Sequence, residues 1–126
     1  MKEKICFLID DDEDDREIFQ LALDQIRGIK GVMSHNGKEA LKMLDDNSFT
    51  PDFIFLDLNM PLLSGKECLQ EIRKIPRLHS VPVFIYTTSS RDDDKVEIEK
   101  LGATGFITKP SKLINLVRIL STYLNA

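Results

Sequence analysis

The sequence predicts an α/β domain in which a parallel sheet of five strands is covered by helices on both faces. Two observations carry this. Short continuous apolar runs recur along the chain, and stretches with helical apolar spacing fall between them from end to end. Short apolar runs bounded by turn residues fit strands buried on both faces. Their alternation with helices calls for a doubly wound parallel sheet with right-handed crossovers. At 126 residues the chain makes one domain, spanning 1–126. A chain of that length buries enough apolar surface to fold without a disulfide or structural metal.

The first strand is the run Ile5–Ile9, followed by a helix whose stripe is Ile18, Leu21, Ala22 and Ile26. A weaker strand lies at Val32–Met33. Asn36-Gly37 is the dipeptide of a tight hairpin, but here it precedes the stripe Ala40, Leu41 and Leu44. It therefore reads as a helix start, with Asn36 as N-cap and Glu39 completing a capping box. The third strand is Phe53–Leu56, and Leu69, Ile72 and Arg73 form the helix after Gly65. Val83–Tyr86 is the fourth strand; Val96, Ile98 and Leu101 precede Gly102, a C-cap glycine. Phe106–Ile107 is the fifth strand, and Leu113, Leu116, Val117, Leu120 and Leu124 mark the closing helix.

Composition excludes several classes. The net charge of −4, with both signs spread along the chain, lacks the basic patch of a direct nucleic-acid binder. No apolar run approaches the roughly 20 residues that span a bilayer, and the N-terminus lacks a signal-peptide core; the expected location is cytoplasmic. Cys6 and Cys68 have no metal-ligand spacing and read as small buried hydrophobes. His35 and His79 have no paired ligand nearby in sequence and receive no role.

The polar residues at the strand ends carry the chemistry. The first strand runs into Asp10-Asp11-Asp12-Glu13, the third delivers Asp57, the fourth Thr87 and Thr88, and the fifth Lys109-Pro110. In an open parallel sheet, ligands bind outside the carboxyl ends of the strands, so these residues gather on one rim. Carboxylates converging near Asp57 would repel one another unless a cation joins them, and oxygen ligands suit Mg²⁺. A lysine and a hydroxyl beside them suit a transferring phosphoryl group. An aspartate is a competent nucleophile for it. Which two of the adjacent aspartates face the metal depends on where the strand stops: Asp10 and Asp11, or Asp11 and Asp12 after a slip of one residue. Glu13, Asp14 and Asp15, like Asp12, read as a solvated helix start favoured by the helix dipole; Asp92-Asp93-Asp94 reads the same way.

Phe7-Leu8-Ile9-Asp10-Asp11-Asp12, Leu56-Asp57-Leu58-Asn59-Met60-Pro61 with Gly65, Thr87, and Lys109-Pro110 together resemble the motif set of response-regulator receiver domains, in order and spacing over essentially the whole chain. The resemblance implies the CheY-like (flavodoxin-like) strand order 2-1-3-4-5. It implies that Asp57 is the phosphoacceptor, taking a phosphoryl group from a histidine kinase or a histidine phosphotransfer protein. Asp11, Asp57 and the backbone carbonyl of Asn59 would bind Mg²⁺ directly, and Asp10 through water. Thr87 and Lys109 would each contact a phosphoryl oxygen. Ser89 and Asn59 would tune the lifetime of the modification, and Phe106 would be either core or a switch aromatic. A cis bond before Pro110 would aim the lysine inward. The last helix, with Ile114 off its core stripe, and the strand carrying Phe106 would form the face for a downstream protein partner or a dimer.

Ser111 and Lys66 depart from many family members. The segments Gly65-Lys66-Glu67-Cys68-Leu69 and Ile85-Tyr86-Thr87-Thr88-Ser89-Ser90 are similar instead to the phytochrome-associated regulators. With Ala126 just past the last helix, no output domain is expected unless the chain is one domain of a longer protein. The expected activity is a self-modifying signalling switch, not an enzyme acting on external substrates. A phosphatase built on Asp57 would need a proton-transferring acid at position 59, where asparagine stands. A flavin mononucleotide carrier would need a phosphate loop in place of the acidic run after the first strand.

Overall fold

The computed structural model describes residues 3–88 and 92–124. Ser89, to which the resemblance gives a tuning role, lies outside the described residues. The strands are β1 (Lys4–Ile9), β2 (Ile29–Ser34), β3 (Phe53–Leu56), β4 (Val83–Thr87) and β5 (Gly105–Thr108). The helices are α1 (Glu13–Leu23), α2 (Gly37–Leu44), α3 (Gly65–Arg73), α4 (Asp92–Lys100) and α5 (Leu113–Leu124). The sheet is parallel throughout, in the order β2-β1-β3-β4-β5, as the sequence and the resemblance together anticipate. The strands at Val32 and Phe106 extend beyond their short apolar kernels because pairing with a central neighbour supplies the ladder their own residues do not specify.

Alternation along each strand sorts the core onto two faces. Phe7, Ile9, Ile54, Leu56, Val83 and Ile85 point toward α2, α3 and α4, meeting Ala40, Leu44, Leu69, Ile72 and Ile98. Cys6, Leu8, Phe53, Phe55, Phe84 and Tyr86 point the other way, toward Phe19, Leu23, Leu116, Leu120 and Leu124 of α1 and α5. Both cysteines are buried and free. Burial pushes the Cys68 thiol up to about 12 and raises that of Cys6 as well, so neither is a thiolate nucleophile near neutral pH.

Two local expectations are corrected. The buried stripe of α1 is Phe19, Ala22 and Leu23, continued by Ile26 just past its end, whereas Ile18 and Leu21 are 43% and 54% exposed. Rotating the helix by about one residue lets the Phe19 ring pack edge-on against Phe55 at 5.2 Å and Tyr86 at 5.4 Å. Asn36 does cap α2, accepting the Glu39 N–H at 2.8 Å, but Glu39 does not close a capping box. Its carboxylate instead accepts from Ser34 Oγ and pairs with His35. The complete capping box belongs to α3, where Ser64 and Glu67 bond reciprocally. Gly102 ends α4 as expected. Its φ of 104° and the bonds Ala103 N–H to Ile98 carbonyl and Gly102 N–H to Glu99 carbonyl make a Schellman motif.

α4 is also held from α3. Lys66 Nζ lies 3.0 Å from Asp94 and 2.8 Å from Glu97, and Arg73 Nε donates to the Gly102 carbonyl at 2.9 Å. The departure at Lys66 thus has a structural use: its ammonium bridges α3 to α4.

Candidate functional site

The carboxyl ends of β1, β3, β4 and β5 converge at one rim. Asp10 follows β1, and its backbone N–H donates to Ser34 at 3.0 Å; Asp57 follows β3, and its N–H donates to Ile9 at 3.0 Å. Lys109 follows β5, and its N–H donates to the Thr87 carbonyl at 2.8 Å. These bonds continue the sheet ladders one step past the strands, so the side chains of Asp10, Asp57 and Lys109 inherit the rigidity of the sheet. Asp10 and Thr87 are fully buried and Asp57 is 5% exposed. Thr88 is exposed.

Asp10, Asp11 and Asp57 each offer a carboxylate oxygen, and the three atoms lie within 4.8 Å of one another. β1 stops at Ile9, and Asp12 is exposed and caps α1, accepting the Asp15 N–H at 3.0 Å. Asp10 Oδ1 accepts the Asp12 N–H at 3.0 Å. Asp10 Oδ2 is buried and makes no directed hydrogen bond, although the Lys109 ammonium is 2.9 Å away. Burial raises the Asp10 carboxyl to about 6 against the lowering influence of Lys109. Three carboxylate oxygens within 4.8 Å of one another, with Asp10 and Asp57 buried, fit an oxygen-ligated divalent cation. Asn59 is exposed, and its backbone N–H is 3.4 Å from Asp57 Oδ1.

Lys109 is the cationic centre of the rim. Its Nζ lies 2.7 Å from Asp15, 2.9 Å from Asp10 and 3.4 Å from Asp57, with the Tyr86 ring centroid at 5.3 Å. Burial alone would lower its pKa, but the hydrogen bond to Asp15 and the nearby Asp10 carboxylate outweigh that, and the net shift is upward. Asp15 is therefore not the purely solvated helix-start acid that its neighbourhood in sequence suggests. The expected cis bond before Pro110 is corrected too: the described residues contain no cis peptide bond, and a trans chain already brings the ammonium to the rim. Phe106 is half-buried, packed at the edge of the core with the Lys95 ammonium 5.3 Å from its ring centroid.

Gly65 sets the depth of the site. A Cβ there would lie 2.3 Å from the Asp57 carbonyl oxygen and 2.6 Å from Leu58 Cα, so α3 can approach the acceptor strand only with a glycine at its start. Gly65→Ala is expected to lose about 1–3 kcal/mol of stability through overpacking against backbone, measured by urea denaturation. Next to it, Leu62 is 79% exposed and holds a φ of 71°, a left-handed conformation uncommon for so bulky a residue. Neither Leu62 nor Asp15 carries a local sequence signal that would have placed it at this rim.

Comparison with known proteins agrees with this geometry. Residues 6–121 match the model of the response regulator receiver domain. The chain is 30% identical over 123 residues to response regulator Rcp1 of Synechocystis sp., covering 93% of this chain and 84% of that protein. The crystal structure of the Mn²⁺-bound form of Rcp1 superposes with a TM-score of 0.85 at 28% identity, covering 96% of this chain and 94% of the other. That of the phosphorylated cyanobacterial phytochrome response regulator RcpA gives 0.88 at 33% identity, covering 96% and 91%. The similarity to phytochrome-associated regulators expected from the α3 and β4 segments is thus found in both sequence and fold. Receiver domains as a family are signalling switches that accept phosphoryl groups, bind Mg²⁺ or Mn²⁺ at an acidic site, and interact with histidine kinases and downstream partners. No helix among the described residues is long and apolar enough to cross a membrane. This chain belongs to the response regulator receiver domain family.

Proposed function

We propose that this chain is a single-domain phosphorylation switch, in which Asp57 takes a phosphoryl group from a histidine kinase or histidine phosphotransfer protein with Mg²⁺ as cofactor. The observation that carries it is the buried Asp57 carboxylate grouped with those of Asp10 and Asp11, with the Lys109 ammonium 3.4 Å away. In the transfer, an Asp57 carboxylate oxygen forms the new P–O bond while the donor's P–N bond breaks and the imidazole nitrogen keeps the electron pair. Asp10, Asp11, Asp57 and the backbone carbonyl of Asn59 would hold the cation, which supplies charge neutralisation for the carboxylates and the incoming phosphoryl oxygens. Lys109 would neutralise another phosphoryl oxygen, and Thr87, at the end of β4, would donate its hydroxyl to a third. The chain catalyses only its own modification and its reversal; with Asn59 two residues beyond Asp57, no side-chain acid at that position turns the site into a general phosphatase. Transfer of labelled phosphoryl from a phosphorylated histidine donor, mapped by peptide mass to Asp57, tests this. Label on another residue would overturn it.

The exposed pair Ile18 and Leu21, four and seven residues past Asp14 on α1, is the apolar surface that a protein donor would cover as it reaches the rim. Ile18→Asp is expected to slow transfer from a protein donor about tenfold, the effect of losing an interface anchor. Labelling by a small-molecule donor would stay unchanged, as followed by intact mass. Output would pass through a protein surface. The α5 face with Ile114, 64% exposed, is the proposed site for a downstream partner or a second copy.

A further inference from the structure

We propose that Asp15 is a positioning residue of the phosphoryl site: it draws the Lys109 ammonium toward α1, so that its contact with Asp57 is the longest of three, and so limits the lysine's competition with a cation for the Asp10–Asp11–Asp57 cluster. The inference rests on the functional reading above and deepens it. The closest partner of Lys109 Nζ is Asp15, at 2.7 Å, and Asp57 is the most distant of the three carboxylates, at 3.4 Å. Asp15 stands outside the carboxylate cluster and projects from the first turn of α1, fixed there because its own N–H is bonded to Asp12. The Lys109 side chain is 8% exposed, so the ammonium has little access to water as an alternative partner. If Asp15 gave up its charge, the anions left in contact among the described residues would be Asp10 and Asp57. The ammonium would then move further onto both, where a unit positive charge a few ångströms from a divalent ion strongly opposes its binding. Asp15 is thus the counterion that lets a lysine and a metal share three carboxylates.

The test is Mn²⁺ binding to the full chain, followed by electron paramagnetic resonance of the free ion, for wild type and for Asp15→Asn, Asp15→Glu, Lys109→Ala and the Asp15→Asn/Lys109→Ala double variant. Asp15→Asn is expected to weaken binding by about threefold or more, from the Coulomb cost of the displaced ammonium, and Asp15→Glu to restore most of it. In the Lys109→Ala background the same Asp15→Asn change should have little effect, because the residue acts through the lysine. Equal losses in both backgrounds would mean a through-space charge and overturn the proposal, as would unchanged binding by Asp15→Asn. Circular dichroism on each variant separates these outcomes from loss of fold, and Asp15→Ser serves in place of any asparagine variant that does not fold. If wild type itself bound no Mn²⁺, the proposed cation site would fail along with the inference; if wild type bound and Asp15→Asn matched it, only the inference would fail.

Discussion

A Phe55→Ala chain is expected to unfold about 3–5 kcal/mol more easily than wild type, the range for emptying a large aromatic site in a packed core. Phe55 is fully buried on the central strand β3. Its ring packs 5.2 Å from Phe19, 5.2 Å from Phe84 and 6.4 Å from Tyr86, so its loss breaks aromatic pairs as well as opening a cavity. Domains of this kind hold roughly 5–15 kcal/mol in total, and the variant would keep only part of that. Phe55 lies two residues before Asp57, which directly follows the strand, so loosening it also loosens the acceptor. Chemical denaturation followed by far-ultraviolet circular dichroism measures the first effect, and a change below about 1 kcal/mol would contradict the packing described.

Asp57→Asn is expected to act in the opposite direction on stability while abolishing phosphoryl acceptance. Three carboxylates within 4.8 Å of one another, two of them almost fully buried, repel in the absence of a cation, and that repulsion is the energetic cost of keeping a nucleophile and a cation site together. Removing one charge without changing shape should stabilise the cation-free protein by about 0.5–2 kcal/mol. The same change should remove most of the stabilisation that added Mg²⁺ gives to wild type, because a ligand stabilises only the state it binds. Thermal unfolding with and without Mg²⁺ reads both. If Mg²⁺ stabilised wild type and Asp57→Asn equally, the proposed ligand set would be wrong.

The strand ends were legible in the sequence because buried parallel strands are continuous apolar runs, and those of β1, β3, β4 and β5 stop within two residues of a polar residue of the site. Asp10, Asp57, Thr87 and Lys109 could therefore be placed on one rim from order alone. The face of α1 was not legible. Ile18 and Phe19 are adjacent, as are Leu21 and Ala22, so the segment offers two overlapping apolar stripes about one residue apart. The choice between them falls to the shape of the space beside Phe55 and Tyr86, which the phenyl ring of Phe19 fills. Asp15 was misread for a similar reason. Every local consideration makes it a helix-start acid, and its partner Lys109 is 94 positions away. Glu39 likewise had a local partner in the expected capping box, yet it turns to Ser34 and His35, which the end of β2 brings to the same corner.

The central claim, that Asp57 is a phosphoacceptor served by a cation, is tested most directly by incubating the chain with acetyl phosphate and Mg²⁺ and recording its intact mass. Wild type should gain the mass of one phosphoryl group, lose the gain when the cation is chelated, and show none in Asp57→Asn. A wild-type chain that gains no mass from acetyl phosphate or from a phosphorylated histidine donor would contradict the account, as would an Asp57→Asn chain that still gains it.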